Sequence, residues 1–141
     1  MDAFDADVLI YAADDGHPLG RRIGALLKGR VAAGEPSAGV GSILLLPEVM
    51  SKPLDEGRHA EAAKLSVLLG CLDLQPVDTP TADKATTFRS QYRLKTVDAV
   101  HLATAVQAGA DRFITNNRRD FSMSIEEIDI VFPEDLPAPQ A

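Results

Sequence analysis

The chain has 141 residues, 45% of them hydrophobic, and sets 14 Lys and Arg against 21 Asp and Glu for a formal net charge of −7. That length suits one domain, the apolar content excludes a disordered chain, and the acidity argues against a broad phosphate-binding face unless several acids hold a cation or a basic partner covers the surface. A single cysteine, Cys71, excludes an intramolecular disulfide and a cysteine zinc cluster. No apolar run approaches the ~20 residues of a membrane span and the start is acidic, so a cytoplasmic protein without membrane contact is expected.

Ala3 to Tyr11 is an apolar run with Asp5 and Asp7 inside it. An unpaired carboxylate is expensive away from water, so these acids need a reason. A short strand ending near Phe4 leaves both at its carboxyl end, with a helix from Val8 to Ala13. Asp7 is accounted for as the cap of that helix; Asp5 is not. Pro18 to Ala33 has helical spacing, with Leu19, Ile23, Leu26, Leu27 and Val31 on one face and Arg21, Arg22, Lys28 and Arg30 off it. The basic residues read as a solvated face, phosphate contact being the other option. His17 reads as a cap or a surface residue. Gly34 to Gly41 is a polar connection with a short strand at Ser37 to Val40. It lacks the lysine and spacing of a phosphate-cradling loop.

Ser42 is positioned to cap a helix over Ile43 to Lys52, which Pro47 should kink or delay. Glu48 stands there among Leu44, Leu45, Leu46, Val49 and Met50, a third acid in apolar company. Glu56 to Leu72 reads as a plain amphipathic helix, with Ala62, Ala63, Leu65, Val67, Leu68, Leu69 and Leu72 apolar and His59 at the surface. Cys71 packs in that helix. Leu74 to Val77 is a strand, and Thr79 or Thr81 opens a helix to Tyr92 with Phe88 inward.

Leu94 to Phe121 is the most informative stretch. Thr96 is the expected N-cap of a helix from Val97 to Ala108, in which only Asp98, His101, Thr104 and Gln107 are polar, so most of its faces must be covered by protein. Asp98 falls in the first turn, where an acid also complements the helix dipole. Gly109 ends the helix in a left-handed conformation. Arg112 to Thr115 is a strand, followed by the polar cluster Asn116-Asn117-Arg118-Arg119-Asp120. Ile128 to Phe132 is the last strand. The expectation is one domain over residues 1–132 and a frayed, proline-rich tail over 133–141. Alternating strands and helices predict an α/β fold with a mostly parallel sheet covered on both faces.

Asp5, Glu48 and Asp98 come from three segments, each at or near the start of an element. Carboxylates held together repel, so one stays protonated or a cation intervenes. With no spare cysteine and no histidine pair at ligand spacing, oxygen ligands point to Mg²⁺ or Mn²⁺ rather than zinc. Such an ion can orient a phosphodiester, activate water and neutralise a leaving oxygen.

Four segments then carry a resemblance: Phe4 to Tyr11; Ser42 through Pro47-Glu48-Val49; Asp98-Ala99-Val100-His101-Leu102-Ala103-Thr104-Ala105; and Ile114-Thr115-Asn116-Asn117 with Asp120-Phe121. In order and separation they resemble the motifs of PIN-domain ribonucleases, and most closely the VapC-type toxins of prokaryotic toxin–antitoxin pairs. The resemblance spans residues 3 to about 131. It implies a three-layer α/β/α fold around a five-stranded parallel sheet, an acidic Mg²⁺ or Mn²⁺ site, and endonucleolytic cleavage of RNA by a metal-activated water. It also implies a cognate antitoxin and a homodimer. Asp5, Glu48 and Asp98 match the metal-binding acids. Where a further acid is common after the fourth strand this chain has Asn117, so Asn117 is expected as the positional counterpart, and Asp120, three residues on, either substitutes for it or is an outer support that caps local amides. Asp7 and Thr115 would support the site, and Arg118 and Arg119 at its rim could hold RNA phosphates.

Two other readings compete. An Asp-x-Asp after an apolar run also resembles haloacid dehalogenase-type phosphatases, with Asp5 as nucleophile and Asp7 as general acid, although too little chain follows Thr115 to supply their remaining motifs. The other is a PIN-like binding module that lost activity through Asn117.

Overall fold

Strand β1 (Asp2–Phe4) is only three residues long, yet it is the middle of the sheet. The structure, a computed structural model, describes residues 1–139. After β1 come helices α1 (Ala6–Ala12) and α2 (Pro18–Ala32), strand β2 (Gly39–Ser42), helices α3 (Leu45–Asp55) and α4 (His59–Gly70), and strand β3 (Leu72–Gln75). Helices α5 (Thr79–Tyr92) and α6 (Thr96–Gln107), strands β4 (Arg112–Ile114) and β5 (Asp129–Val131) and a 3₁₀ turn (Pro133–Asp135) complete the chain. The sheet runs β3-β2-β1-β4-β5 with every pairing parallel, so the expected mostly parallel five-stranded sheet is present and, among the described residues, has no antiparallel member.

Side chains alternate across a strand, and here they sort into two cores. Ala3, Val40, Phe113 and Ile130 join Phe88 of α5 and Leu102 of α6 on one face. Phe4, Leu72 and Ile114 join Leu9, Ile23, Leu45 and Leu65 from α1 to α4 on the other. That arrangement makes the three layers. Among the described residues no helix is long and apolar enough to cross a membrane.

Several boundaries differ from the sequence reading, each for a local reason. Helix α1 begins at Ala6, capped by Asp5, whose carboxylate accepts the Ala6 amide hydrogen at 2.8 Å; Asp7 lies in the first turn and is not the cap. Thr96 is the first residue of α6, not its cap, which is Lys95 without a side-chain bond; the Thr96 hydroxyl instead receives Arg89. Asp78, not a threonine, caps α5 through the Thr81 amide at 3.0 Å. Ser42 ends β2 and accepts only the Leu44 amide, while α3 starts at Leu45. Pro47 is the third residue of that helix, where an amide has no partner within the helix to lose, so the start is later than Ile43 and no kink is needed. Strand β2 lies later and β3 earlier than expected because they pair with each other, Gly39 opposite Leu72 through Ser42 opposite Gln75. Cys71 follows α4 as its C-cap. Val31 and Val67, expected inward, are exposed.

Helix α6 ends as anticipated: Gly109 has φ +74°, its amide bonds to Val106 and the Ala110 amide reaches back to Ala105, a Schellman closure. The start of the expected frayed tail is instead packed. Pro133 and Leu136 are buried, and Arg22 of α2 holds the carbonyls of Glu134 and Leu136. Residues 140–141 of that tail lie outside the described residues.

Candidate active site

The acids gather where an open parallel sheet forms sites, beyond the carboxyl ends of its strands. Asp5 directly follows β1, and its amide donates to the Ile114 carbonyl at the end of β4 at 3.0 Å. Its carboxylate is 5% exposed and held on both sides: one oxygen takes the Ala6 amide, and the other takes the Thr115 hydroxyl at 2.7 Å. Thr115 is fully buried, and its hydroxyl oxygen also accepts the Asn117 amide at 3.1 Å. The end of β4 is thereby tied to the first acid through one side chain.

Asp7 accepts the Asn116 amide at 3.0 Å with one oxygen, while its other oxygen is buried without a partner. Asn116 extends the chain of bonds outward to the Tyr11 hydroxyl at 3.3 Å, and the Tyr11 ring stacks on His17. Glu48, in the first turn of α3, and Asp98, in the first turn of α6, face the same region. The Asp98 carboxylate has no hydrogen bond among the described residues.

The charges of these groups act on one another. Burial, reinforced by the charge of Asp5, pushes Asp7 up to about 7. Burial, then Asp5, then Asp120 push Asp98 up to about 6, with a smaller push from Glu48. Burial raises Asp5 as well, against the opposing charge of His101 and the Thr115 bond. Asp5, Asp7, Glu48, Asp98 and Asp120 therefore form one electrostatic group.

In the turn after β4 the expected capping role falls to Asn117 and not to Asp120. It is Asn117 that caps a local amide, its side-chain oxygen accepting the Asp120 N–H at 3.3 Å. Its side-chain nitrogen donates to the Asp120 carboxylate at 3.0 Å. The Asn117 amide group is spent within the turn, and Asp120 is the member whose charge reaches Asp98. Arg118 turns toward the C-terminal segment: its guanidinium lies 4.0 Å from the Phe132 ring centroid and pairs with Glu134. Arg119 is exposed.

One residue of the region was not singled out from the sequence. His101 is 2% exposed, and its Nε2 is hydrogen-bonded to Glu48. Burial works to lower its pKa, but the Glu48 bond and the charges of Asp5, Glu48 and Asp98 override that and raise it. The available signal was its spacing: three residues after Asp98 it shares that helix face.

Among the described residues no three His, Cys, Asp or Glu side chains already stand close enough together to hold one ion. The donor set nonetheless suits a hard cation in kind. It is carboxylate-rich and free of thiolate, its members raise one another's pKa values, Asp98 is unbonded, and one buried Asp7 oxygen lacks a partner.

The family model described as PIN domain matches residues 3–123. Among curated proteins none matches the sequence. Similar solved structures include a toxin–antitoxin complex from Klebsiella pneumoniae, 24% identical, covering 94% of this chain and 98% of that one with a TM-score of 0.69. VapBC2 from Rickettsia felis, bound to a DNA fragment from its promoter, is 15% identical, with 93% and 97% coverage and a TM-score of 0.71. Mycobacterium tuberculosis VapC20, a sarcin–ricin loop cleaving toxin, is 16% identical, with 92% and 99% coverage and a TM-score of 0.62.

Proposed function

Because the chain belongs to the PIN domain family, we propose that it is a divalent-metal-dependent endoribonuclease, the VapC-type toxin of a type II toxin–antitoxin pair. The observation that carries this reading is the convergence of Asp5 after β1, Glu48 in the first turn of α3, Asp98 in the first turn of α6 and Asp120 after β4, where the charges of Asp5, Asp120 and Glu48 act on Asp98. Apolar neighbours do not bring carboxylates together without compensation, and a cation supplies it. Asp5, Glu48 and Asp98 would hold Mg²⁺ or Mn²⁺, with Asp120 completing the group and Asn117 fixing Asp120. Bound there, the ion supplies charge neutralisation and water activation for hydrolysis of an RNA phosphodiester.

The protein's own side chains divide the remaining work. Thr115 holds the Asp5 carboxylate in one orientation. Asp7 fastens the turn after β4 to α1 through the Asn116 amide. Arg119, exposed beside this turn, is the proposed phosphate contact; Arg118 would have to leave Glu134 and Phe132 to join it. A cognate antitoxin is proposed as a partner, supported by the toxin–antitoxin complex among the similar structures; the proposed homodimer rests on the family resemblance alone. The PIN domain match over residues 3–123 disfavours the phosphatase alternative.

Cleavage of single-stranded RNA by the purified chain tests the reading. Cleavage should require Mg²⁺ or Mn²⁺, stop with EDTA, and vanish in a folded Asp98→Asn variant. Undiminished cleavage in chelator would remove the metal mechanism, and a folded chain that binds no Mn²⁺ would leave a binding module.

A further inference from the structure

We propose that His101 is a positioning residue for this site: from inside α6 it fixes the Glu48 carboxylate and through it sets the affinity of the acid group for a divalent cation. The inference rests on the nuclease reading above.

Glu48 is the most solvent-exposed of the acids. Its side chain is 34% accessible to solvent and carries three rotatable bonds. Asp5 is held by Thr115 and Ala6, and Asp120 by Asn117. Among the described residues the single hydrogen-bond partner of the Glu48 side chain is His101. A carboxylate only accepts, so Nε2 of His101 carries the hydrogen of this bond.

The histidine is placed for this contact and little else. It sits one turn beyond Asp98, between the buried residues Val100 and Leu102. Its Nδ1 is buried and finds no partner. A histidine serving the core would satisfy both nitrogens or give way to an apolar residue, because an unpartnered polar atom in the interior is unfavourable. Here its one polar contact reaches across from α6 to α3 and ends on a proposed ligand. The carboxylates of Asp5 and Asp98 lie near enough for their charges to act on the same ring. Partners that orient metal ligands in this way change metal affinity or activity by roughly 10–100-fold when removed.

The experiment uses the full chain and two readouts. Mn²⁺ titration by calorimetry compares wild type, His101→Leu, His101→Gln, Glu48→Leu and the double variant His101→Leu/Glu48→Leu. His101→Leu should weaken Mn²⁺ binding by roughly 10–100-fold. It should also lower kcat on single-stranded RNA more than it moves KM. His101→Gln, which keeps an N–H donor, should recover most of the affinity. The double variant should be no worse than Glu48→Leu, since His101 acts through Glu48. Wild-type affinity in folded His101→Leu, or losses that add in the double variant, would overturn the proposal. The second readout needs no metal: the imidazole ¹⁵N resonances of His101 should lose their hydrogen-bond signature in Glu48→Leu, which has no acceptor, and unchanged resonances overturn the proposal even if His101→Leu does not fold. A wild-type chain that binds no Mn²⁺ while its His101 resonances still respond to Glu48→Leu would remove the nuclease reading and the metal half of this inference together.

Discussion

Asp5, Asp7, Asp98 and His101 all have pKa values raised above those of the unfolded chain, and this gives the metal-free protein a pH signature. For the acids the sign follows from proton uptake. Asp7, raised from 3.8 to about 7, and Asp98, raised from 3.8 to about 6, bind more protons folded than unfolded between those values. Their contribution to stability is therefore complete below the unfolded value and is lost as pH rises through the folded one. The raised His101 acts in the same direction, losing its contribution as pH rises through its folded value. The lowered carboxyls of Asp15, Asp78 and Asp111 lose theirs only below the ordinary carboxylate range, outside this window. In EDTA, Tm should fall by roughly 3–10 °C between about pH 5 and about pH 8. A flat or rising Tm over that interval would mean that the acids do not repel as described. At the same scale, Asp120→Ala should weaken Mn²⁺ binding more than Asn117→Ala, which only loosens the turn, and calorimetry on both variants decides between them. The reverse order would restore Asn117 as the residue that meets the ion.

At the scale of elements, the approach of α1 to α2 is the most sensitive contact. A Cβ added at Gly20 would lie 1.9 Å from the Tyr11 carbonyl oxygen, a backbone atom that cannot step aside. Gly20→Ala must push α2 away from the helix that carries Asp7 and Tyr11, an overpacking that costs about 1–3 kcal/mol or more. Tm should drop by several degrees, and RNA cleavage should fall with it because Asp7 moves. A variant as stable as wild type would show that the helices are not held this close. Elements were legible in the sequence where they are long: α2 and α6 have enough turns for their apolar spacing, and α6 has Gly109 as an end mark. The end of β1 and the limits of β4 and β5 were legible to within about a residue, but those of β2 and β3 were not, because four residues carry almost no period of their own and take their limits from pairing with each other. The acids were legible because charge inside an apolar run is conspicuous. His101 was not, because a lone histidine in a buried helix says nothing about the Glu48 side chain 53 positions away. The turn after β4 hid its geometry for the same kind of reason: which of Asn117 and Asp120 caps the other depends on a backbone path that composition does not encode.

Across the whole molecule, a net charge of −7 sits on a protein whose proposed substrate is a polyanion. Loading the acid group with a cation removes part of that conflict at the place where RNA would bind. Mn²⁺ at ~100 times its Kd should stabilise the fold by about 2.7 kcal/mol, and Tm should rise by roughly 5–10 °C and fall back on chelation. An active protein whose melting point ignores Mn²⁺ would show that the ion binds with the RNA and not before it.

The position of β1 at the centre of the sheet also dictates an order of events during synthesis. Residues 2–4 pair with residues 112–114 on one side and, on the other, with β2 through Ala3 and Val40. A chain still attached to the ribosome therefore carries its central strand with one flank open until β4 clears the exit tunnel. Asp5 cannot meet Thr115 before then, and the buried Asp2 waits for Arg112 at the far end of the same strand. The proposed cutting site consequently cannot assemble on a fragment that lacks β4, and most of the chain must emerge before Asp5 and Thr115 meet.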